Sequence, residues 1–322
     1  METTPGDFGL EAVAEEAREV AAAVEREVGR VVSVPSEVLD PILIALIAGG
    51  HILVEGIPGT GKTLLSRAVA RAVDCKFNRI QFTNDLMPSD VVGASIWRRD
   101  KGTFEFVPGP LFANVVLADE INRTSSRTLS CLLEAMEEGA VTVDGVTREL
   151  ASPFTILATR NPIEFHGTFP IPEAALDRFL VHVKLGYPSG EAERALYKSS
   201  GVRATEALNE LEPVVTREQL LLLGASARGV TVSDDITEYA HRVVLASREA
   251  PGVILGVSPR AAVSWIGAAR ARALLKGRGY VLPDDLKALA GPVLSHRVFV
   301  EGGGTAEALV GDLVAGISTV VG

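Results

Sequence analysis

Apolar residues recur at two different spacings along this chain, and the change of spacing divides it. Over residues 8–29, Leu10, Val13, Ala17, Val20, Val24 and Val28 stand three and four apart, which puts them on one face of a helix. That face either packs on its own domain or forms a seam with a partner. A second helix is predicted from Ser36 to Ala48. From residue 51 to about 186 the pattern changes to short apolar runs: Ile52–Val54, Phe77–Phe82, Val115–Ala118, Phe154–Ala158 and Phe179–Leu185, alternating with helical segments. Runs that are apolar on both faces suit a parallel sheet covered by helices. Two stretches break the alternation and read as hairpins. One covers residues 94–107 and turns at Asp100–Gly102. The other covers 140–150 and turns at Asp144-Gly145, a strong hairpin dipeptide.

Periodicity weakens between residues 189 and 213, which read as a connector with some helix. Helix start signals follow. Thr216-Arg-Glu-Gln219 is a capping box, Ser233-Asp-Asp opens a helix to about Glu249, Ser258-Pro259 pairs a cap with proline in the first turn, and Leu282-Pro-Asp-Asp opens a fourth. The expected organisation is an α/β unit over 1–188 with the N-terminal helix included, a connector over 189–213 and a helical unit over 214–322. Gly302–Gly304 reads as a local turn.

The chemistry begins at residues 56–63, Gly-Ile-Pro-Gly-Thr-Gly-Lys-Thr, which match GxxxxGK[ST] between a buried strand and a helix. Glycines let the backbone wrap so that successive N–H groups face phosphate oxygens. Lys62 would reach the β/γ-phosphates and the Thr63 hydroxyl would hold Mg²⁺. Downstream, Asn114-Val-Val-Leu-Ala-Asp-Glu120 ends an apolar strand in two acids, a costly placement unless a cation lies nearby. Asp119 is the candidate metal residue and Glu120 the candidate base for an attacking water. Asn161, in Ala158-Thr-Arg-Asn-Pro162, could orient that water; alone it reads equally as an Asn-Pro turn. Arg178, in Ala175-Leu-Asp-Arg-Phe179, could complete a site in trans or pair with a local acid. Arg260 sits in the first turn of its helix, where the macrodipole disfavours a cation, which suggests an anionic partner such as a phosphate; alone it reads equally as a solvated side chain.

Composition narrows the choices. The chain has 322 residues, 47% hydrophobic and 22% charged, enough for two domains with a sizeable core. Its net charge of −10 argues against broad binding to duplex DNA. No signal region is recognisable, and Pro41–Val54, the longest apolar stretch, is too short to span a bilayer. Cys75 and Cys131 show no metal spacing and are expected to be reduced core thiols, which suits a cytoplasmic protein.

Taken in order, these elements resemble the AAA+ ATPases and specifically the MoxR family. The resemblance rests on GIPGTGKTLLSRAVA (56–70), RIQFTNDLMPSD (79–90), PGPLFANVVLADEINR (108–123), LLEAMEEGAVTVDG (132–145), ATRNPIEFHGTFPIPEAALDRF (158–179), LGYPS (185–189) and GVSPRA (256–261). It implies a parallel sheet of order 5-1-4-3-2 with helices on both faces, followed by a smaller all-α lid. Walker A would comprise Gly56, Pro58, Gly59, Thr60, Gly61, Lys62 and Thr63, with Leu64 adjoining. Asp119 and Glu120 would be Walker B, Asn161 sensor 1, Arg178 the arginine finger and Arg260 sensor 2. The hairpin near Trp97 corresponds to the family's helix 2 insert, and residues 140–150 to the pre-sensor-1 hairpin.

The resemblance further implies hydrolysis of ATP with Mg²⁺ between the two domains, in a hexameric ring. It also implies remodelling, maturation or activation of client complexes, metal insertion among them, with a von Willebrand factor A domain partner. The sequence departs from the pattern in two places. Val-Ser-Val-Pro-Ser stands at 32–36 where relatives carry a Val-Gly-Gln step near the adenine, and Arg160 stands where Gln is common. Two other readings stay open. One is a nucleic-acid motor touching a strand through Trp97–Arg99; the other is a nucleotide-gated switch without turnover.

Overall fold

The chain is described here from a computed structural model over residues 7–162, 169–188, 190–199, 202–301 and 305–319. Five strands form its central sheet: β1 (His51–Gly56), β2 (Phe77–Gln81), β3 (Val115–Asp119), β4 (Thr155–Arg160) and β5 (Phe179–Leu185). They lie in the order β5-β1-β4-β3-β2 and every pairing is parallel. This is the expected 5-1-4-3-2 arrangement. His51 pairs with Phe179 and Gly56 with Leu185, while Gln81 pairs with Asp119. Parallel strands in this register put Gly56, Gln81, Asp119 and Arg160 on one edge of the sheet, and His51 and Phe179 on the opposite edge.

The period-two pleat sorts the apolar side chains into two cores. Ile52, Val54, Val115, Leu117, Leu157 and Val181 face one core, while Leu53, Val116, Ala118, Ile156 and Ala158 face the other. The first core is shared by α1 (Asp7–Gly29), α2 (Ser36–Ala48) and α3 (Lys62–Ala72). The second receives α4 (Ser126–Glu138). Along α1, Ala14, Ala17, Val24 and Val28 are buried and Val13 and Val20 partly so, as the spacing predicts; Leu10 lies outside the described side chains.

Helices continue after the sheet: α5 (Gly190–Ser199), α6 (Val202–Asn209), α7 (Arg217–Gly229), α8 (Asp234–Glu249), α9 (Pro259–Leu275), α10 (Pro283–Leu294) and α11 (Ala306–Gly316). Their predicted caps form. Thr216 Oγ1 accepts from Gln219 N at 3.1 Å, and Gln219 Oε1 accepts from Thr216 N at 3.0 Å. Ser233 and Ser258 cap α8 and α9. Just before α7 a two-residue strand, Val215–Thr216, runs parallel to Val73–Asp74 and ties the chain back to the end of α3. Helix α9 packs on α1, α2, α7 and α10, so the helical part shares its core with α1 and α2. Asp285, fully buried at the start of α10, accepts from Arg278 Nη2 at 2.7 Å, from Arg272, and from Leu282 N at 2.8 Å.

Both hairpins form. Gly93–Arg98 pairs with Thr103–Pro108, and Gly102 takes a φ of 61° at the turn. At its base Gly93 has a φ of 92°, and a Cβ there would lie 2.3 Å from Val107 O and 2.5 Å from Gly109 N. Ala140–Val143 pairs with Val146–Glu149 through Asp144 (φ 54°) and Gly145 (φ 77°), the left-handed pair that a two-residue turn requires. The cysteine expectation needs correcting: Cys75 and Cys131 are free but half-buried at the core margins, because each packs one side against a core and leaves the other open. Gly302–Gly304 lies outside the described residues. Among the described residues no helix is long and apolar enough to cross a membrane.

Candidate nucleotide site

The loop between β1 and α3 is shaped by three glycines. Gly59 (φ 83°) and Gly61 (φ 91°) adopt left-handed backbone with open space where a Cβ would be. Gly56 is close-packed instead; a Cβ would fall 2.7 Å from Leu185 O. Pro58 and Gly59 are exposed, Thr60 is buried, and Thr60 Oγ1 donates to Ile57 O at 2.9 Å. Lys62 donates to Gly56 O and, at 2.9 Å, to Ile57 O. Burial pulls the Lys62 ammonium below its ordinary pKa, while Asp119 and Glu120 act against that shift. No side chain caps the first turn of α3, so its backbone N–H donors remain available to an anion, as an unfilled helix N-terminus does. Leu64 is partly buried against the core below.

Asp119 is the meeting point of the edge. It is 5% exposed. Its Oδ2 accepts from Thr63 Oγ1 at 3.2 Å and from Arg79 Nη2 at 2.6 Å, and its Oδ1 accepts from Thr159 Oγ1 at 2.5 Å. Glu120 follows with a φ of 58°, a left-handed turn that takes the chain off the line of β3. Its N–H donates to Thr159 Oγ1 at 3.0 Å, and its carboxylate accepts from Arg123 Nη1 at 2.8 Å and Gln81 Nε2 at 3.4 Å. Thr159, Arg79 and Gln81 lie within the quoted motifs, but no role is assigned to them from sequence. A signal exists in the strand patterns, since Arg79-Ile80-Gln81-Phe82 alternates polar and apolar where the run it pairs with, Val115–Ala118, is apolar throughout.

Asn161 follows β4 at the same edge, and its carbonyl accepts from Asn122 Nδ2 at 3.3 Å. Arg160 turns to β1, where its Nε donates to Glu55 Oε2 at 2.6 Å. Burial alone would raise the Glu55 carboxyl, but His182 and Arg160 outweigh it and hold the pKa at about 2. The unusual Arg160 is thus engaged by a carboxylate within its own sheet.

The other two arginines lie elsewhere. Arg178 immediately precedes β5, and Phe179 pairs with His51, so it stands at the edge opposite the loop. Its Nη2 donates to Glu137 Oε2 at 2.5 Å and its Nη1 to Ala174 O at 2.5 Å. Arg260 Nη2 donates to the other oxygen of the same carboxylate, Glu137 Oε1, at 2.6 Å. The two guanidiniums, Arg260 foremost, hold the Glu137 carboxyl below its ordinary range. They border a cavity of about 340 Å³ together with His51, Glu137, Asp177 and Arg297. The anionic partner that Arg260 meets within the chain is thus the Glu137 carboxylate. Helix α9 rests on α1 and α2 at the far edge, which turns its first residues toward the end of α4.

The edge bearing Lys62 fits a magnesium nucleotide. An uncapped helix start and an ammonium suit phosphates, and a carboxylate beside a hydroxyl provides the hard oxygen donors that Mg²⁺ takes. Arg79 meanwhile supplies positive charge to Asp119 from a side chain that is 47% exposed, so it is free to yield to another cation.

Comparisons with known proteins agree. Residues 51–181 match the model of the ATPase family associated with various cellular activities, and residues 245–312 match the AAA lid domain. The chain is 47% identical to the uncharacterized protein YeaC of Bacillus subtilis, over 87% of this chain and 88% of that one. It is 40% identical to the chaperone MoxR1 of Mycobacterium tuberculosis, over 92% and 79%. It is 33% identical to the protein MoxR of Methylorubrum extorquens, over 92% and 91%. A crystal structure from Cytophaga hutchinsonii superposes with a TM-score of 0.87 at 35% identity, covering 97% of this chain and 98% of that one. A five-stranded parallel sheet with a phosphate loop at one edge, a helical lid, and these likenesses over most of its length together make the chain a member of the MoxR family of AAA+ ATPases.

Proposed function

We propose that the chain hydrolyses ATP to ADP and phosphate, and that each site is completed by a neighbouring copy. The observation that carries this reading is the division of its charged groups between opposite edges of one sheet. Lys62, Thr63, Asp119 and Glu120 stand at one edge, and Arg178 and Arg260 share Glu137 at the other. Within one subunit both arginines are engaged by Glu137, at the edge away from the loop. Across a subunit boundary they meet the loop of the next copy, and both Arg178 and Arg260 then act in trans.

In this reading Gly56, Pro58, Gly59, Thr60, Gly61 and Leu64 shape the cradle and Lys62 binds the terminal phosphates. Thr63 and Asp119 hold Mg²⁺, which when bound neutralises charge on the phosphate oxygens. Glu120 takes a proton from the attacking water, with Asn161 orienting it. Residues 1–188 carry the nucleotide, 189–213 connect, and 214–322 form the lid. The protein works in the cytoplasm as a hexameric ring. It remodels or activates a client complex, with metal insertion one such task, alongside a von Willebrand factor A domain protein. The likeness to a relative named as a chaperone supports that assignment.

The test is a pair of variants. Lys62→Ala should lose ATP binding by calorimetry. Glu120→Gln should keep binding but slow phosphate release by about 10²–10⁴-fold, the usual value of general-base help. Unchanged binding in the first, or near-normal turnover in the second, overturns the assignment.

A further inference from the structure

Arg297 has no place in any motif of the chain, yet it is 5% exposed and packed beside the arginine pair. It ends a short 3₁₀ turn (Ser295–Arg297) that follows α10. Its Nη2 donates to Asp177 O at 2.9 Å and to Phe179 O at 2.8 Å. Those two carbonyls lie one residue before and one residue after Arg178. Its Nε lies 3.3 Å from Asp177 Oδ1. Phe179 O also accepts from His296 Nε2 at 2.9 Å, if that nitrogen carries the ring proton.

Burying a guanidinium is costly unless its donors are met, and breaking such a set is more costly still. This one is aimed at the main chain on both sides of a single residue. Its Nη1 is buried with no hydrogen-bond partner among the described residues, and the residue lines the same cavity as Arg178 and Arg260. Burial lowers the Arg297 pKa to about 10, with Asp177 opposing and Arg260 adding to the fall, so the group stays charged at neutral pH.

We propose that Arg297 is a positioning residue for Arg178: the lid grips the Asp177–Phe179 backbone through it and so fixes the direction in which Arg178 leaves the sheet edge. The inference rests on the proposed role of Arg178 in trans. It also makes the lid part of each trans site twice over, through Arg260 directly and through Arg297 by way of the backbone. A misplacement of about 1 Å far from the reacting atoms can cost 10²-fold in rate. Lysine keeps the charge but has a single nitrogen, so it cannot meet both carbonyls, as Nη2 does, and also face the Asp177 carboxylate, as Nε does.

The experiment compares Arg297→Lys, Arg178→Ala and the double variant as assembled full-length chains. ATP turnover is measured by phosphate release and ATP affinity by calorimetry. Arg297→Lys should lower kcat at least about tenfold and leave affinity within about twofold. The double variant should be no slower than Arg178→Ala alone, because the fork acts only through Arg178. Independent losses that multiply, or an unchanged kcat in Arg297→Lys, overturn the proposal. An undiminished kcat in Arg178→Ala overturns the trans reading itself, a result distinct from either. If Arg297→Lys does not fold, Asp177→Asn loosens the same grip from the other side and is read by the same criteria.

Discussion

Single residues set how this protein responds to acid. His51 begins β1 and is buried; Ile156 N donates to its Nδ1 at 3.0 Å and its Nε2 meets Met136 O at 3.0 Å, which fixes the neutral ring with its proton on Nε2. Burial lowers its pKa from 6.5 to about 4. Between those values the unfolded chain takes up a proton and the folded chain does not, so stability is intact above pH 6.5 and falls as pH drops toward 4. The full effect is roughly 3 kcal/mol. His296, which burial also pushes well below 6.5, adds to the same slope. His51→Gln should be the less stable protein at pH 7, and its deficit should narrow by pH 4.5, as read from urea midpoints. A constant gap between the two proteins would show that His51 does not contribute to the acid slope.

Whole elements hang on a few backbone positions. The Gly93–Pro108 hairpin closes where Gly93 and Gly109 approach without side chains. Gly93→Ala brings a Cβ against Val107 O and should cost about 2 kcal/mol or more, with faster amide exchange confined to the hairpin. Thr216→Ala removes one half of the cap on α7 and should cost about 1 kcal/mol in the urea midpoint. Elements like these were legible in advance because their signals are local. Asp144-Gly145 states its own turn, and Thr216 to Gln219 states its own cap. The loop at 56–63 was legible for the same reason. The partners of Asp119 were not, since Arg79 and Thr159 sit on strands that meet only in the folded sheet. Arg260 was expected beside phosphate because its position in a helix first turn suggests an anion. Sequence could not show that Glu137, 123 residues away in the chain, would be that anion.

At the scale of the molecule, the proposed division of the site between sheet edges predicts that turnover is a property of assemblies. Phosphate release per subunit should rise with protein concentration and level off once assembly is complete. Arg178→Ala and Glu120→Gln, each slow alone, should recover part of the activity when mixed, because a sound loop can then meet a sound arginine across a boundary. An arginine finger is worth about 10³–10⁵-fold in related chemistry, so even a minority of repaired boundaries would be measurable. Lack of any recovery would return Arg178 to the role of a partner for Glu137 alone.

The opposed edges also give the protein a front and a back. A two-fold dimer could set each loop against the other copy's arginine cluster only by laying the two copies side by side and antiparallel, and it would then stop at two. Head-to-tail stacking, the arrangement of the proposed ring, pairs one loop with one cluster at each boundary, and it must close on itself or grow without end. Around a closed circle all copies then point the same way, and a copy with a damaged lid would silence the neighbour ahead of it while leaving the one behind at work.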